Sequence, residues 1–106
     1  MITIQEVRRL AMAMPETVAQ HHFGNPSFRV HGRIFATVPD ADHLNVMIDA
    51  FDVEAVVREN PAFCEELWWG KKLSGVRVSL QRAAPKTVEA LLEAAWRRKA
   101  PKRLLR

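Results

Sequence analysis

The feature that most constrains the fold is a change in the spacing of apolar residues along the chain. Before Thr17 they recur every three or four positions, and from Thr17 to Asp49 they alternate with polar residues. Alternation is typical of strands that bury one face. Helical spacing returns over residues 52–60 and after Pro85. Strands grouped between helices predict an α+β domain, with helices packed on one face of an antiparallel sheet.

Local signals predict where the first helix begins and ends. Thr3 and Glu6 have the spacing of a capping box, in which each side chain accepts a hydrogen bond from the other residue's backbone N–H. Pro15 disfavours helical geometry at the residue before it. The first helix is therefore expected to end at Met14.

The dipeptide His31-Gly32 predicts a two-residue hairpin turn between two alternating segments. Glycine takes a positive φ freely, and histidine tolerates one better than most residues do. A two-residue turn pairs Phe28 with Phe35 across the hairpin, so both rings are expected on one face of the sheet.

The second half of the chain predicts two more helices and a strand between them. Asp52 is expected to cap a short helix that stops at Asn60-Pro61. Apolar and polar residues alternate over 76–81, which predicts a strand with one solvent-exposed face. Pro85 suits the first position of a last helix, which Pro101 ends. No repeat or linker divides the sequence, so residues 1–106 are predicted to form one domain with a basic tail at 97–106.

Composition excludes several classes of protein. Cys64 is the one cysteine, so an intramolecular disulfide is impossible. No apolar run approaches the roughly 18 residues of a membrane span. The five apolar residues after Arg8-Arg9 are fewer than the ~7–15 of a signal-peptide core. We expect a cytoplasmic protein that does not bind membranes.

The sequence contains no recognisable catalytic, metal or cofactor motif. His21 and His22 are neighbours on a strand and point to opposite faces, so they are not expected to share a metal ion. Cys64 lies beside two glutamates, which disfavour a reactive thiolate. The four glycines form no phosphate-binding loop. We expect no cofactor and no catalysis, because an enzyme would need side chains such as His22, Arg29 and Asp49 to converge in one pocket.

The formal charge of +4 comes entirely from the end of the chain. The last ten residues contain six cations and no acid, whereas the first 96 contain ten cations and twelve acids. Cations grouped at hairpins and tails can contact nucleic-acid phosphates. The candidate phosphate-binding residues are Arg29 and Arg33 at the first hairpin, Lys71, Lys72 and Arg77 at the second, and Arg97, Arg98, Lys102 and Arg103 in the tail.

Each of these groups also has a purely structural explanation. Cations at the end of a helix complement its dipole, and Glu93 with Arg97 has the spacing of a favourable ion pair. Trp68 and Trp69 could stack on exposed bases, but alternation predicts that one of the two is in the core. Trp96 is expected in the core.

Two segments resemble a known family. Residues 22–30, His-Phe-Gly-Asn-Pro-Ser-Phe-Arg-Val, followed by Arg-Ile-Phe-Ala-Thr at 33–37, resemble the hallmark of the MmcQ/YjbR-like family, and residues 94–104 resemble its ending. The resemblance implies a small bacterial cytoplasmic protein related in fold to frataxin-like and secretion-chaperone-like domains. Members are commonly labelled DNA-binding, since their two hairpins have been likened to a double wing.

The resemblance carries over Arg29, Arg33 and Lys102-Arg103 as candidate DNA contacts. The leading hypothesis is therefore a non-enzymatic protein that contacts the backbone of double-stranded DNA with its hairpins and tail. The alternative is a protein-interaction or small-ligand-binding domain with no nucleic-acid role, and the oligomeric state, monomer or dimer, stays open. A contiguous positive face would favour DNA, whereas scattered cations beside an apolar patch would favour a protein partner.

Overall fold

The computed structural model describes residues 1–22 and 24–105. Phe23 of the family motif and Arg106 of the basic tail lie outside the described residues, as does the His22 side chain. The elements in chain order are α1 (Ile4–Met12), β1 (Thr17–His22), β2 (Asn25–Val30), β3 (Arg33–Asp40), β4 (His43–Val46), α2 (Ala50–Glu59), β5 (Cys64–Trp69), β6 (Lys72–Ser79), α3 (Pro85–Lys99) and a 3-10 helix at Lys102–Leu105.

The strands form one antiparallel sheet in the order β1-β2-β3-β4-β6-β5. Residues of all three helices share one hydrophobic core with the strand residues that face them. The predicted fold class, an α+β domain with helices on one face of an antiparallel sheet, is confirmed. No helix within the described residues has both the length and the apolar character needed to cross a bilayer.

The last helix supplies much of the core, as its apolar spacing predicts. Burying each large apolar side chain contributes about 1.5–3 kcal/mol. The Trp96 indole is in the core as expected, and its Nε1 donates to the Pro15 carbonyl at 3.1 Å. That bond ties the last helix to the turn after α1. The buried α3 residues are Val88, Leu91, Leu92, Ala95 and Trp96.

The other face of the sheet carries no helix, and we call it the helix-free face. Register places one polar residue of each strand in a single row across it. Three of the six are buried, because neighbouring side chains on the same face exclude water from them. The row, in sheet order, is Gln20, Ser27, Thr37, Asn45, Arg77 and Glu65.

The start of α1 follows the prediction and its end does not. The backbone N–H of Glu6 donates to Thr3 Oγ1 at 3.1 Å, and that of Thr3 donates to Glu6 Oε1 at 3.3 Å, so the capping box is confirmed. The helix ends at Met12, two residues before Met14. Ala13 is the C-cap, and residues 13–16, with a positive φ of 55° at Glu16, form the turn that leads to β1.

The first hairpin, β2–β3, turns at the predicted dipeptide, His31-Gly32. Both residues have a positive φ, 50° and 76°, as a two-residue turn that matches the strand twist requires. The predicted pairing of Phe28 with Phe35 is wrong, since Phe28 lies opposite Ala36. Phe35 is the extra residue of a β-bulge, which shifts the register by one. Both rings are nevertheless buried.

The cap predicted for α2 is one turn out of place. Asp49, not Asp52, is the N-cap, and its Oδ1 accepts from the Phe51 backbone N–H at 2.8 Å. Asp52 lies in the first turn, where a carboxylate favours the positive end of the helix dipole. The helix ends before Asn60 as expected, and the strand expected over 76–81 is β6, which ends at Ser79.

The sequence predicts no strand over residues 64–69, which form β5 of the second hairpin, β5–β6. The expectation that one tryptophan there is in the core is wrong, since Trp68 and Trp69 are 50% and 52% exposed. β5 is an edge strand, and both residues lie at its end, next to the turn. The pairing of β5 with β6 shifts register between Leu67 and Trp68, and alternation alone cannot predict such an irregularity.

Candidate nucleic-acid interface

Sheet order brings the turns of both hairpins to the same end of the sheet. Arg33 is the first residue of β3, and Lys72 is the first residue of β6. Since β4 lies between these strands and is antiparallel to both, β3 and β6 run in the same direction. Arg33 and Lys72 therefore lie at the same end of the sheet, with Lys71 in the adjoining turn.

The C-terminal end of α3 lies at this same edge. Arg33 Nη1 donates to the Lys99 carbonyl at 3.5 Å, which joins the first hairpin to the end of the helix. Arg98 Nη1 donates to the carbonyls of Met47 and Ile48 at 3.1 and 3.2 Å, just after β4. These contacts hold the Arg98 guanidinium beside the segment that follows β4, and no carboxylate of the described residues forms an ion pair with it.

The effect of these neighbouring charges is clearest in the pKa of Lys99. Burial lowers the pKa of this ammonium group, and the charges of Arg98, Arg33 and Lys72 lower it further. Cations from both hairpins and from α3 thus lie within electrostatic reach of one another. We call this cluster, Arg33, Lys71, Lys72, Arg98 and Lys99, the basic end.

Exposed aromatic surface adjoins the basic end. Trp69 lies directly opposite Lys72 in the second hairpin. Trp68 Nε1 is 3.5 Å from Glu66 Oε1, so that its indole lies along the edge strand. Indole faces beside cations are suited to stacking on bases or on a protein partner.

The two other strand arginines lie on the helix-free face, and Arg29 is opposite Ile34, next to the first hairpin turn. Arg29 Nε is 3.5 Å from Ser27 Oγ, and Arg77 Nε donates to Asn45 Oδ1 at 3.3 Å. Arg77 is five residues along β6 from Lys72, or about 16 Å at 3.3 Å per residue. The structure does not bring Arg77 together with the cations of its own hairpin turn.

The remaining tail cations have acidic partners or stand apart. Arg97 Nε donates to Glu93 Oε1 at 3.2 Å, as the sequence spacing predicts. Arg103 donates two hydrogen bonds of 2.9 Å to the Glu16 carboxylate. Lys102 is exposed on the 3-10 helix. As far as Leu105, the basic tail is therefore partly neutralised and consists of the end of α3 and a 3-10 helix.

Glu16 pairs with the tail cation Arg103 and with His31 of the first turn, and the sequence does not predict this role. Hydrogen bonds from Arg103, and then from His31, lower the pKa of its carboxyl from 4.5 to about 2. The His31 ring nitrogen lies 2.9 Å from Glu16 and from Arg103. Residues 16 and 103 are too distant in sequence for spacing to predict this pair.

The side chains considered for catalysis or metal binding have structural roles or are not grouped. Burial raises the pKa of the Cys64 thiol to about 11, so the thiol is protonated; burial, not the neighbouring glutamates, is the cause. Asp49 caps α2 and Arg29 contacts Ser27, so each has its own partner. Within the part of the chain that the structure describes, no three His, Cys, Asp or Glu side chains are grouped to hold a metal ion.

Comparison with known proteins places the chain in a family. The family model named YjbR matches residues 12–98, which cover every strand of the sheet and nearly all of α3. The chain belongs to the YjbR family. The resemblance of residues 22–37 is thereby confirmed at the level of the family.

A solved structure shows the same fold. The crystal structure of the Deinococcus radiodurans protein DR2400, with its family-model domain DUF419, is similar with a TM-score of 0.77 and 19% sequence identity. The similarity covers 91% of this chain and 77% of that one. No curated protein matches this YjbR-family sequence. The similarity to DR2400 concerns the fold alone.

Proposed function

We propose that this YjbR-family protein binds the DNA backbone through the basic end and catalyses no reaction. The observation that carries the proposal is the convergence of cations from three separate segments, the two hairpins and α3, at one edge of the sheet. Such a cluster is suited to phosphates, which attract Lys and Arg without regard to sequence.

A purely structural role would not require so many cations at one edge. The carboxyl end of α3 carries the equivalent of about half a negative charge, which complements one cation at most. Lys99 is nevertheless surrounded by Arg98, Arg33 and Lys72, whose charges disfavour its protonated form. A bound phosphate would relieve this mutual repulsion, which supports an anionic partner.

The hairpins give the proposed interface its shape. Two neighbouring hairpins can follow a groove or lie along a strand, and the second one adds Trp68 and Trp69 beside Lys72. Backbone contacts from Arg33, Lys71 and Lys72 would position the duplex without specifying its sequence.

Charge reversal in the exposed second turn tests the proposal. We expect Lys71→Glu/Lys72→Glu to weaken binding of a fluorescein-labelled duplex at least about tenfold, measured by fluorescence anisotropy at one fixed salt concentration. The matched control is Arg82→Glu/Lys86→Glu, the same charge change near the other end of α3, where both residues are exposed. The control should stay within about threefold of the parent. Equal losses in both variants, or no binding by the parent at tens of micromolar, would exclude the proposed interface.

A protein-interaction role is the second candidate, and one exposed patch favours it. Phe51 on α2 is 91% exposed and lines a surface cavity with Glu66 and Leu73. Trp68 lies opposite Leu73 on the edge strand β5. Large exposed aromatic surface beside an unpaired edge is typical of protein interfaces. Loss of a dimer on Phe51→Ser/Trp68→Ser in light scattering, without any DNA binding by the parent, would favour this role.

A further inference from the structure

A small polar cavity lies on the helix-free face, at the end of the sheet away from the basic end. Its volume is about 150 Å³, and its polar lining consists of His43, Glu65, Arg77 and Ser79. Residues 61–63, between α2 and β5, and Cys64 at the start of β5 form its remaining wall. Ser79 is seven residues along β6 from Lys72, about 23 Å at 3.3 Å per residue, so the cavity is separate from the basic end.

Strand register brings these polar residues together. His43 lies directly opposite Ser79 across β4 and β6, and Arg77 lies opposite Glu65 across β6 and β5. Direct partners in an antiparallel pair have Cβ atoms about 4.5–5.5 Å apart on the same face. The four side chains therefore surround one point on the sheet although they come from three strands.

Two of these side chains are held by a neighbour at one atom, which leaves their other polar atoms without a partner among the residues described. Arg77 Nε donates to Asn45 Oδ1 at 3.3 Å, so both Nη groups remain for a ligand. His43 Nδ1 lies 2.9 and 3.0 Å from the carboxylate oxygens of Asp40, so Nε2 is its other polar atom. Hydrogen bonds from the Asp42 backbone and from His43 lower the pKa of Asp40, which keeps it an acceptor.

The charge of Arg77 is not neutralised in the cavity. Arg77 is half-buried, and it forms no ion pair among the residues described. Glu65, its partner in register, is exposed, and its carboxylate stays beyond ion-pair distance. A partly desolvated guanidinium with free Nη groups is well suited to a planar or tetrahedral oxyanion, which it can bind through two parallel hydrogen bonds.

We propose that this cavity binds one oxyanion group, a phosphate or carboxylate of a small molecule, with Arg77 as the main contact and the Ser79 hydroxyl as an additional donor. The volume of about 150 Å³ is sufficient for one such group. The site is independent of the proposed DNA interface, since none of its residues belongs to the basic end.

Nuclear magnetic resonance titration tests the site directly. Uniformly ¹⁵N-labelled protein is titrated with inorganic phosphate and, separately, with acetate, with sodium chloride at matched ionic strength as the reference. We expect saturable shifts at the amides of residues 43–45 and 77–79 with phosphate, acetate or both, which identifies the class of ligand. Shifts that sodium chloride reproduces, or shifts confined to the basic end, would overturn the proposal.

Substitutions in the cavity separate binding from folding. Arg77→Gln should weaken phosphate or acetate binding at least about tenfold, because it removes a charge-assisted bidentate contact. Arg77→Lys keeps the charge and should recover part of the affinity, and Arg58→Gln on α2 is the matched control with no expected effect. If Arg77→Gln fails to fold, the Glu65→Gln variant provides an independent test. It should strengthen anion binding about threefold by removing a nearby like charge, and unchanged or weaker binding would contradict the proposal.

Discussion

A methyl group added at Gly75 should disturb the contact between β4 and β6, which joins the two halves of the sheet. It lies on β6 against the end of β4, and a Cβ built there would overlap the Val46 carbonyl oxygen, 3.0 Å from the Val46 carbonyl carbon and 3.1 Å from Met47 Cα. The obstacle is backbone, so no side chain can rotate away. Gly75→Ala must push β4 and β6 apart locally.

The magnitude follows from what that displacement disrupts. Overpacking typically costs about 1–3 kcal/mol, and two weakened ladder hydrogen bonds add about 1 kcal/mol each. We expect Gly75→Ala to lower the free energy of unfolding by about 3–5 kcal/mol. That is a large part of the roughly 5–15 kcal/mol that holds a domain together. The same displacement would move the second hairpin away from the first, so the basic end would lose its geometry.

Urea denaturation followed by circular dichroism measures this effect. The matched control is Gly70→Ala, in the second turn, where an added Cβ meets nothing within 4 Å and the substitution has only a positive φ of 61° to oppose it. That control should cost about 1–2 kcal/mol. If Gly75→Ala loses no more stability than Gly70→Ala, the close approach of β6 to β4 is not tight and the reasoning fails.

Three further predictions concern single side chains. Asp49→Ala should lower the free energy of unfolding by about 1 kcal/mol, measured by urea denaturation, because the N–H of Phe51 loses its cap; no loss would mean that Asp49 is not the cap. The lowered pKa of Glu16, about 2 against an ordinary 4.5, gives stability that is present above pH 4.5 and lost as the pH falls toward 2. Glu16→Gln should therefore unfold at lower urea than the parent at pH 7, and a gap between the two that persists at pH 2 would contradict the ion pair with Arg103. Because burial raises its pKa to about 11, the Cys64 thiol should react slowly with a disulfide reagent at pH 8 and quickly once urea unfolds the protein, and equal rates would show that it is exposed.

Local signals predicted much of the fold. The capping box at Thr3, the turn at His31-Gly32 and the proline at the start of α3 each depend on residues within four positions of one another. The bulge at Phe35 left no such signal, because the extra residue is accommodated by sheet twist and not by its own chemistry. Asp49 and Asp52 are both good caps, and choosing between them requires knowing where β4 ends.

The candidate sites depend on contacts between distant parts of the chain. The sequence separates the cations into three groups, but only the pairing of β4 with β6 brings Arg33 and Lys72 to one edge. The Arg103–Glu16 pair, which neutralises part of the tail, spans most of the chain. Strand order and long-range ion pairs are set by global packing, so neither periodicity nor spacing could predict them.

The salt dependence of DNA binding tests the central claim most directly. Each phosphate neutralised contributes about −0.9 to the slope of log affinity against log salt concentration. The five cations of the basic end therefore predict a slope of up to about −4.5 for the parent, and Lys71→Glu/Lys72→Glu should make it shallower by about 1.8. A parent slope shallower than about −1, or the same slope in parent and variant, would contradict DNA binding at the basic end.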